Sequence, residues 1–164
     1  MTSNPDFKLR FPKGDDDIIK IFRFLVLVAG PTLLGPVSPL KAVTEVGRIV
    51  MDPYRQNGPD PDSFAIVAEI NGELVGTIGV TKIGFWWGDY ECMTNRWCHI
   101  FPALANTGIG SALVAEAHAM CEQIGLDLVI SGKLVRRNHA AGRGVVFETA
   151  PTVMRGGGAK QSIN

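Results

Sequence analysis

The polar and apolar positions divide the chain into an early helical part and a later part of strands with one helix among them. Ile18, Ile19, Phe22, Leu25, Val26 and Ala29 recur at helical spacing, and Gly30-Pro31 stops the run. Asp15, Asp16 and Asp17 stand just ahead of it, where a helix start favours acidic caps. Before them, Phe7 to Phe11 reads as a short extended piece ended by Pro12 and Gly14. Ser38 as cap with Pro39 in the first turn predicts a second helix, running to about Met51. Asp52 to Asp62 is rich in Pro, Gly, Asp and Asn, and reads as a loop.

The period then changes. Ser63 to Ile70 leads into Asn71-Gly72, a strong short-range hairpin signal, and Glu73 to Val80 returns. A third strand is predicted around Tyr90 to Phe101. A helix follows from Gly108 to about Ile124, with Ile109, Leu113, Ala117, Met120 and Ile124 on one side and Gly125 to end it. Leu126 to Ser131 reads as a further buried strand, with a weaker helix after Asn138. The order describes a mixed α/β domain whose most regular unit is strand, loop, helix and strand near residues 95–131. One domain spanning 1–164 is expected, with residues 155–164 a Gly-rich basic tail.

Composition narrows the function classes. The 164 residues are 46% hydrophobic and carry 16 basic against 16 acidic side chains, which argues against a nucleic-acid wrapper. The balance hides an asymmetry: Lys133, Arg136, Arg137, Arg143, Arg155 and Lys160 face Glu148 alone after residue 130. Such a basic end can meet a phosphate group, a nucleic acid or an acidic protein partner, or is simply a solvated surface. The apolar stretch Phe24 to Leu40 is broken by Gly30, Pro31, Gly35, Pro36 and Pro39, so it is no membrane span. The polar N-terminus has no signal-peptide core, and three cysteines make no disulfide framework, so a cytoplasmic, reducing location is expected.

The stretch Ile100-Phe101-Pro102-Ala103-Leu104-Ala105-Asn106-Thr107-Gly108-Ile109-Gly110-Ser111 carries the chemistry. A strand delivers the chain to a loop, and glycines open a helix whose first amides lack partners and point outward. With the helix dipole they form an anion site that glycine lets a phosphate approach. It is no dinucleotide fingerprint, since that requires glycine where Leu113 stands, and no P-loop, since no Gly-Lys-Ser/Thr follows. Tight turning alone is the competing explanation.

In this register the chain resembles the GNAT superfamily of acyl-CoA-dependent N-acyltransferases over roughly Ser63 to Asn138. Ile100, Pro102, Gly108 and Gly110 fall on the family pattern without a gap, and the hairpin Val-Ala-Glu-x-Asn-Gly-Glu-Leu-Val-Gly matches its second and third strands. The resemblance implies a central, mostly antiparallel sheet with helices on both faces, and acetyl-CoA as cofactor. It implies that backbone groups of Cys98, His99 and Ile100 pair with the pantetheine arm. Asn106, Thr107, Gly108, Ile109, Gly110 and Ser111 would then cradle the pyrophosphate. Asn138 falls on the family's later Asn-x-x-Ala segment. The implied reaction is acetylation of an amine of unknown identity by direct attack on the thioester.

The chain also departs from that pattern. Ala105 stands where Arg or Gln is usual, Val145 where a Tyr serves as general acid, and the two closing strands are expected to be missing. These departures favour the alternative, a non-catalytic GNAT-like interaction protein. The chain also looks like small GNAT-like proteins of tailed bacteriophages, which implies a virion role under that alternative. For catalysis the base candidates are Glu91 and His99, which share a face if their strand is regular. Cys92, Cys98 and His99 lack a fourth ligand at zinc spacing, so no metal is expected. Phe85-Trp86-Trp87 cannot all point one way on a strand, which leaves either core filling or, with the basic tail, a surface for a protein partner.

Overall fold

A computed structural model describes residues 5–30, 36–55, 61–130, 133–135 and 147–149. The elements run β1 (Lys8–Arg10), α1 (Gly14–Ala29), α2 (Pro39–Met51), β2 (Ser63–Ile70), β3 (Glu73–Phe85), β4 (Gly88–Ile100), α3 (Ile109–Ile124) and β5 (Asp127–Ile130). Two three-residue strands follow, β6 (Lys133–Val135) and β7 (Phe147–Thr149). The strands lie in the sheet in sequence order, and every pairing is antiparallel except the parallel one between β4 and β5. Parallel pairing there is forced by connectivity, because α3 carries the chain back between the two strands.

The mixed α/β sheet with helices on both faces is as the sequence predicts. The far edge is not. Short strands continue beyond β5, drawn from residues 133–149, so the expectation of missing closing strands is amended. Asn138 with its predicted helix, and the tail 155–164, lie outside the described residues.

One sheet face packs on α3, whose Ile109, Leu113, Ala117 and Cys121 form a fully buried i, i+4 stripe against Phe64, Ile66, Ile78, Val80, Met93 and Leu128. The other face packs on α1 and α2 through Ile18, Ile21, Val46, Ile49, Val50, Val67 and Trp97. Among the described residues no helix is long and apolar enough to cross a membrane. On α1 the buried stripe includes Ile21 and Phe24, while Ile19 and Val26, which the spacing puts on the core face, stand exposed. That helix is apolar nearly all round, so its periodicity alone leaves its rotation open.

The Asn71-Gly72 turn forms as predicted, with both residues at positive φ (52° and 83°) and Ile70 opposite Glu73. Of the three aspartates at the start of α1, Asp17 is the one that reaches back to Lys13, the residue before the helix. Its Oδ2 accepts the Lys13 backbone N–H at 2.8 Å, and both its oxygens accept from Arg10, at 2.7 and 2.9 Å. Arg10 also donates to Glu69 Oε1 at 2.6 Å, tying β1, α1 and β2 together.

Arg10 holds the Asp17 carboxyl below its ordinary value of 3.8. A depressed carboxyl stabilises the fold fully above its unfolded pKa, and this contribution is lost as pH falls through the folded one. Arg10→Met is therefore expected to cost about 2 kcal/mol at neutral pH, because it strands a buried carboxylate. Urea unfolding at pH 7 and again below pH 3.8 checks this: the gap between variant and parent narrows in acid. A gap independent of pH would assign the loss to packing.

Candidate functional site

The site is built where β4 runs into α3. Phe101 N–H donates to Val75 O at 2.9 Å, and the Phe101 ring packs edge-on to Phe24 of α1, with centroids 5.1 Å apart. The chain end of β4 is thus pinned to both its neighbours. Pro102–Leu104 then makes one 3₁₀ turn. Ala105 N–H donates to Pro102 O at 3.1 Å, and the Thr107 hydroxyl closes the loop on Leu104 O at 2.6 Å.

Asn106 and Gly108 both take positive φ, 67° and 84°. Gly108 occupies the N-cap position of α3, and no side chain caps the helix. The first amide to bond back is Ala112 N–H, to Gly108 O at 2.9 Å. The N–H groups of Ile109, Gly110 and Ser111 therefore point out of the helix start as donors, with the positive end of the helix dipole behind them. The Ile109 side chain is fully buried, so only its main chain faces out. Residues 106–111, proposed from sequence as a cradle, do come together in a single turn. Pro102 to Ser111 holds no Lys or Arg, so this stretch offers an anion no charged side chain.

The second part is an open strand edge. β5 pairs with β4 only alongside Cys92, Met93 and Thr94. From Trp97 to Ile100 the outer edge of β4 has no neighbouring strand among the described residues. Phe101 N–H points to β3, and the alternation of an antiparallel ladder then turns the peptide groups of His99 to β3 as well. Those of Cys98 and Ile100 face the open edge. Of the three residues named for the pantetheine arm, two thus offer their main chain outward.

Glu91 and His99 are not brought together. Trp97 stands opposite Gly79 and Asn95 opposite Val80, so Arg96 is an extra residue, a bulge. Glu91 pairs with Gly84 and His99 with Thr77. These β3 partners are an odd number of residues apart, so the two side chains project from opposite faces. The shared face expected of a regular strand is lost to this one insertion. Glu91 lies exposed near Lys82, its Oε2 3.9 Å from Nζ. His99 is half-buried, and burial lowers its pKa from 6.5, leaving a neutral imidazole at pH 7.

The bulge is the feature that sequence reasoning misses. Arg96 Nε meets Glu45 Oε1 of α2 at 3.3 Å, and Glu45 is also held by Arg48 at 3.0 Å. The cysteines offer no nucleophile: burial pushes the thiols of Cys92 to about 11 and Cys121 to about 12, and raises that of Cys98. No cluster of three or more metal-ligating side chains occurs among the described residues.

Comparison with known proteins agrees with this fold. The family model described as the acetyltransferase (GNAT) family matches residues 40–143. A GNAT family acetyltransferase of Staphylococcus aureus subsp. aureus USA300_TCH1516 has a similar structure, with a TM-score of 0.56 and 17% identity over 94% of this chain and 98% of that one. The glucosamine-6-phosphate N-acetyltransferase of Arabidopsis thaliana aligns with a TM-score of 0.55 and 15% identity over 77% of this chain and 82% of its own. For a ribosomal-protein-alanine N-acetyltransferase of Brucella melitensis biovar Abortus 2308 the TM-score is 0.51, at 17% identity over 76% and 78%. A comparison with curated protein sequences gives no match.

Proposed function

The chain belongs to the GNAT acetyltransferase family, and from that premise we propose that it moves an acetyl group from acetyl-CoA to an amine. The observation that carries the proposal is a conjunction. An open stretch of β4 edge and an uncapped α3 start lie on one continuous strand–turn–helix unit, inside the matched residues. When bound, acetyl-CoA supplies an acetyl group already activated as a thioester.

The outward peptide groups of Cys98 and Ile100 suit the amide-bearing arm, as an added strand would. The amides of Ile109, Gly110 and Ser111, reached through Gly108 and flanked by Asn106 and Thr107, suit the pyrophosphate. Asn138 joins this proposal from sequence only.

An attacking amine must shed a proton as its nitrogen bonds to the acetyl carbon, and the departing thiolate must gain one. His99 is the better of the two base candidates: its imidazole is neutral at pH 7 and it belongs to the open stretch of β4. Glu91 lies about eight strand residues away, roughly 25 Å along β4, towards the opposite end.

Titration calorimetry of the purified chain with acetyl-CoA tests the reading. Micromolar binding is expected, and in an amine-acceptor assay His99→Gln should lower turnover while leaving that affinity unchanged. Absence of binding up to millimolar acetyl-CoA would overturn the enzyme reading in favour of a non-catalytic member of the family. The neighbours act on acceptors as different as an amino-sugar phosphate and a protein alanine, so the fold leaves the acceptor open.

A further inference from the structure

We propose that the tip of the β3–β4 hairpin is a docking site for a cationic polypeptide segment, one rich in arginine or lysine. The turn consists of Trp86 and Trp87, 91% and 58% exposed, and Tyr90 beside it is 47% exposed. Phe85 stacks on Tyr90 with centroids 5.6 Å apart and 19° between planes, and it lies 4.6 Å from the Trp87 ring. Trp86 stands edge-on to Trp87 at 5.7 Å. These contacts hold the rings in a fixed array while the faces of Trp86 stay in solvent. A turn needs no tryptophan, and a side chain so exposed adds almost nothing to the core, so hairpin folding does not account for it. Clustered exposed aromatics mark contact surfaces.

Charge selects the partner. Asp89 and Glu91 follow the turn, and Asp127 accepts the Tyr90 hydroxyl at 2.8 Å. Asp62, just ahead of β2, lies 2.6 Å from Lys82 Nζ. Asp89, Glu91 and Asp127 thus lie beside the aromatic array, with Lys82 the cation that meets Glu91 and Asp62 among the described residues, and residues 84–91 contain no basic side chain. Aromatic faces beside carboxylates attract guanidinium and ammonium groups by cation–π and ionic contact together. The same charge repels an anionic bilayer, which otherwise welcomes tryptophan and tyrosine. The tip also stands at the opposite end of β4 from Cys98 and Ile100, roughly 30 Å away along the strand. The inference therefore does not rest on acetyl-CoA use.

The test is calorimetric titration of the full chain with a hepta-arginine peptide, against a Gly-Ser peptide of equal length. Saturable binding is expected, weakened about tenfold or more by Trp86→Ala with Trp87→Ala, and similarly by Asp89→Asn with Glu91→Gln. Acetyl-CoA at saturation should leave the affinity unchanged. Because these side chains are exposed, the variants should keep the parent's thermal midpoint, which circular dichroism records. If a variant unfolds, the parent titrated in rising salt replaces it, and binding must then weaken with salt. Arginine binding that survives the tryptophan changes would place it elsewhere and overturn the proposal. So would binding indifferent to the charge changes, co-sedimentation with phosphatidylserine vesicles instead of peptide binding, or no peptide binding at all.

Discussion

Gly79→Ala is expected to destabilise the protein by about 3 kcal/mol, the upper end of the range for overpacked cores. A Cβ built on Gly79 would overlap Cζ2 and Cε2 of Trp97 and would lie 2.6 Å from its Cη2. The indole cannot step aside freely. It is 7% exposed beneath α1 and α2, and its Nε1–H donates to Thr77 Oγ1 at 3.2 Å. That hydroxyl in turn donates to Ile66 O at 3.0 Å, so displacing the ring strands polar groups as well.

Trp97→Leu alone should cost a similar amount through the cavity it leaves. In the Gly79→Ala background it should cost about 2 kcal/mol less, because the smaller side chain relieves the overlap. Urea midpoints of the four proteins measure this coupling. Parental stability in Gly79→Ala, or strict additivity, would mean that the ring does not lie on that backbone. The consequence reaches the site, since Trp97 adjoins the Arg96 bulge and the open edge of β4. Gly79→Ala should weaken acetyl-CoA binding even under conditions where the variant remains folded.

That pair also marks the boundary of what is legible in this sequence. Asn71-Gly72 and the start of α3 at Gly108 can be read because each is set by neighbours in the chain: a turn that needs positive φ, and a cap that does. The i, i+4 stripe of α3 can be read because its polar face is distinct from its apolar one. The bulge at Arg96 cannot be read so. It adjoins the place where the Trp97 ring lies over Gly79, its partner on a different strand, and no local pattern carries that relation. Missing it reverses the relation of Glu91 to His99. The α1 rotation has a similar cause, since Ile19 and Ile21 are equally apolar and only the sheet decides between them. Ala105 could be read as a departure, yet under the proposed reading the cradle would not depend on its side chain, because its donors would be amides. Main-chain sites tolerate unusual side chains, which is why the cofactor half of the candidate site is more legible than the acceptor half.

Gly110→Asp is expected to lower acetyl-CoA affinity about a hundredfold while leaving the fold as stable or slightly more so. A Cβ added at Gly110 meets only Ile100 Cδ1, at 3.9 Å, an ordinary contact, and the residue takes no positive φ. Glycine inside a helix is poorer than aspartate, and a carboxylate in the first turn interacts well with the dipole, so the two contributions amount to roughly 1 kcal/mol of stabilisation. The same carboxylate competes for the amides of Ile109, Gly110 and Ser111 and repels a pyrophosphate. At roughly 5 Å and an intermediate dielectric this repulsion is about 3 kcal/mol, or two decades in affinity. Gly110→Ala adds the methyl without the charge, and should gain stability with only a small loss of binding. Gly108 is a poorer place for the experiment, since its φ of 84° strains any side chain and confuses folding with binding. Thermal unfolding and calorimetry on the same three proteins decide the matter. A rise in stability coupled to loss of binding cannot come from damage to the fold, whereas unchanged affinity in Gly110→Asp would remove the start of α3 from the cofactor site.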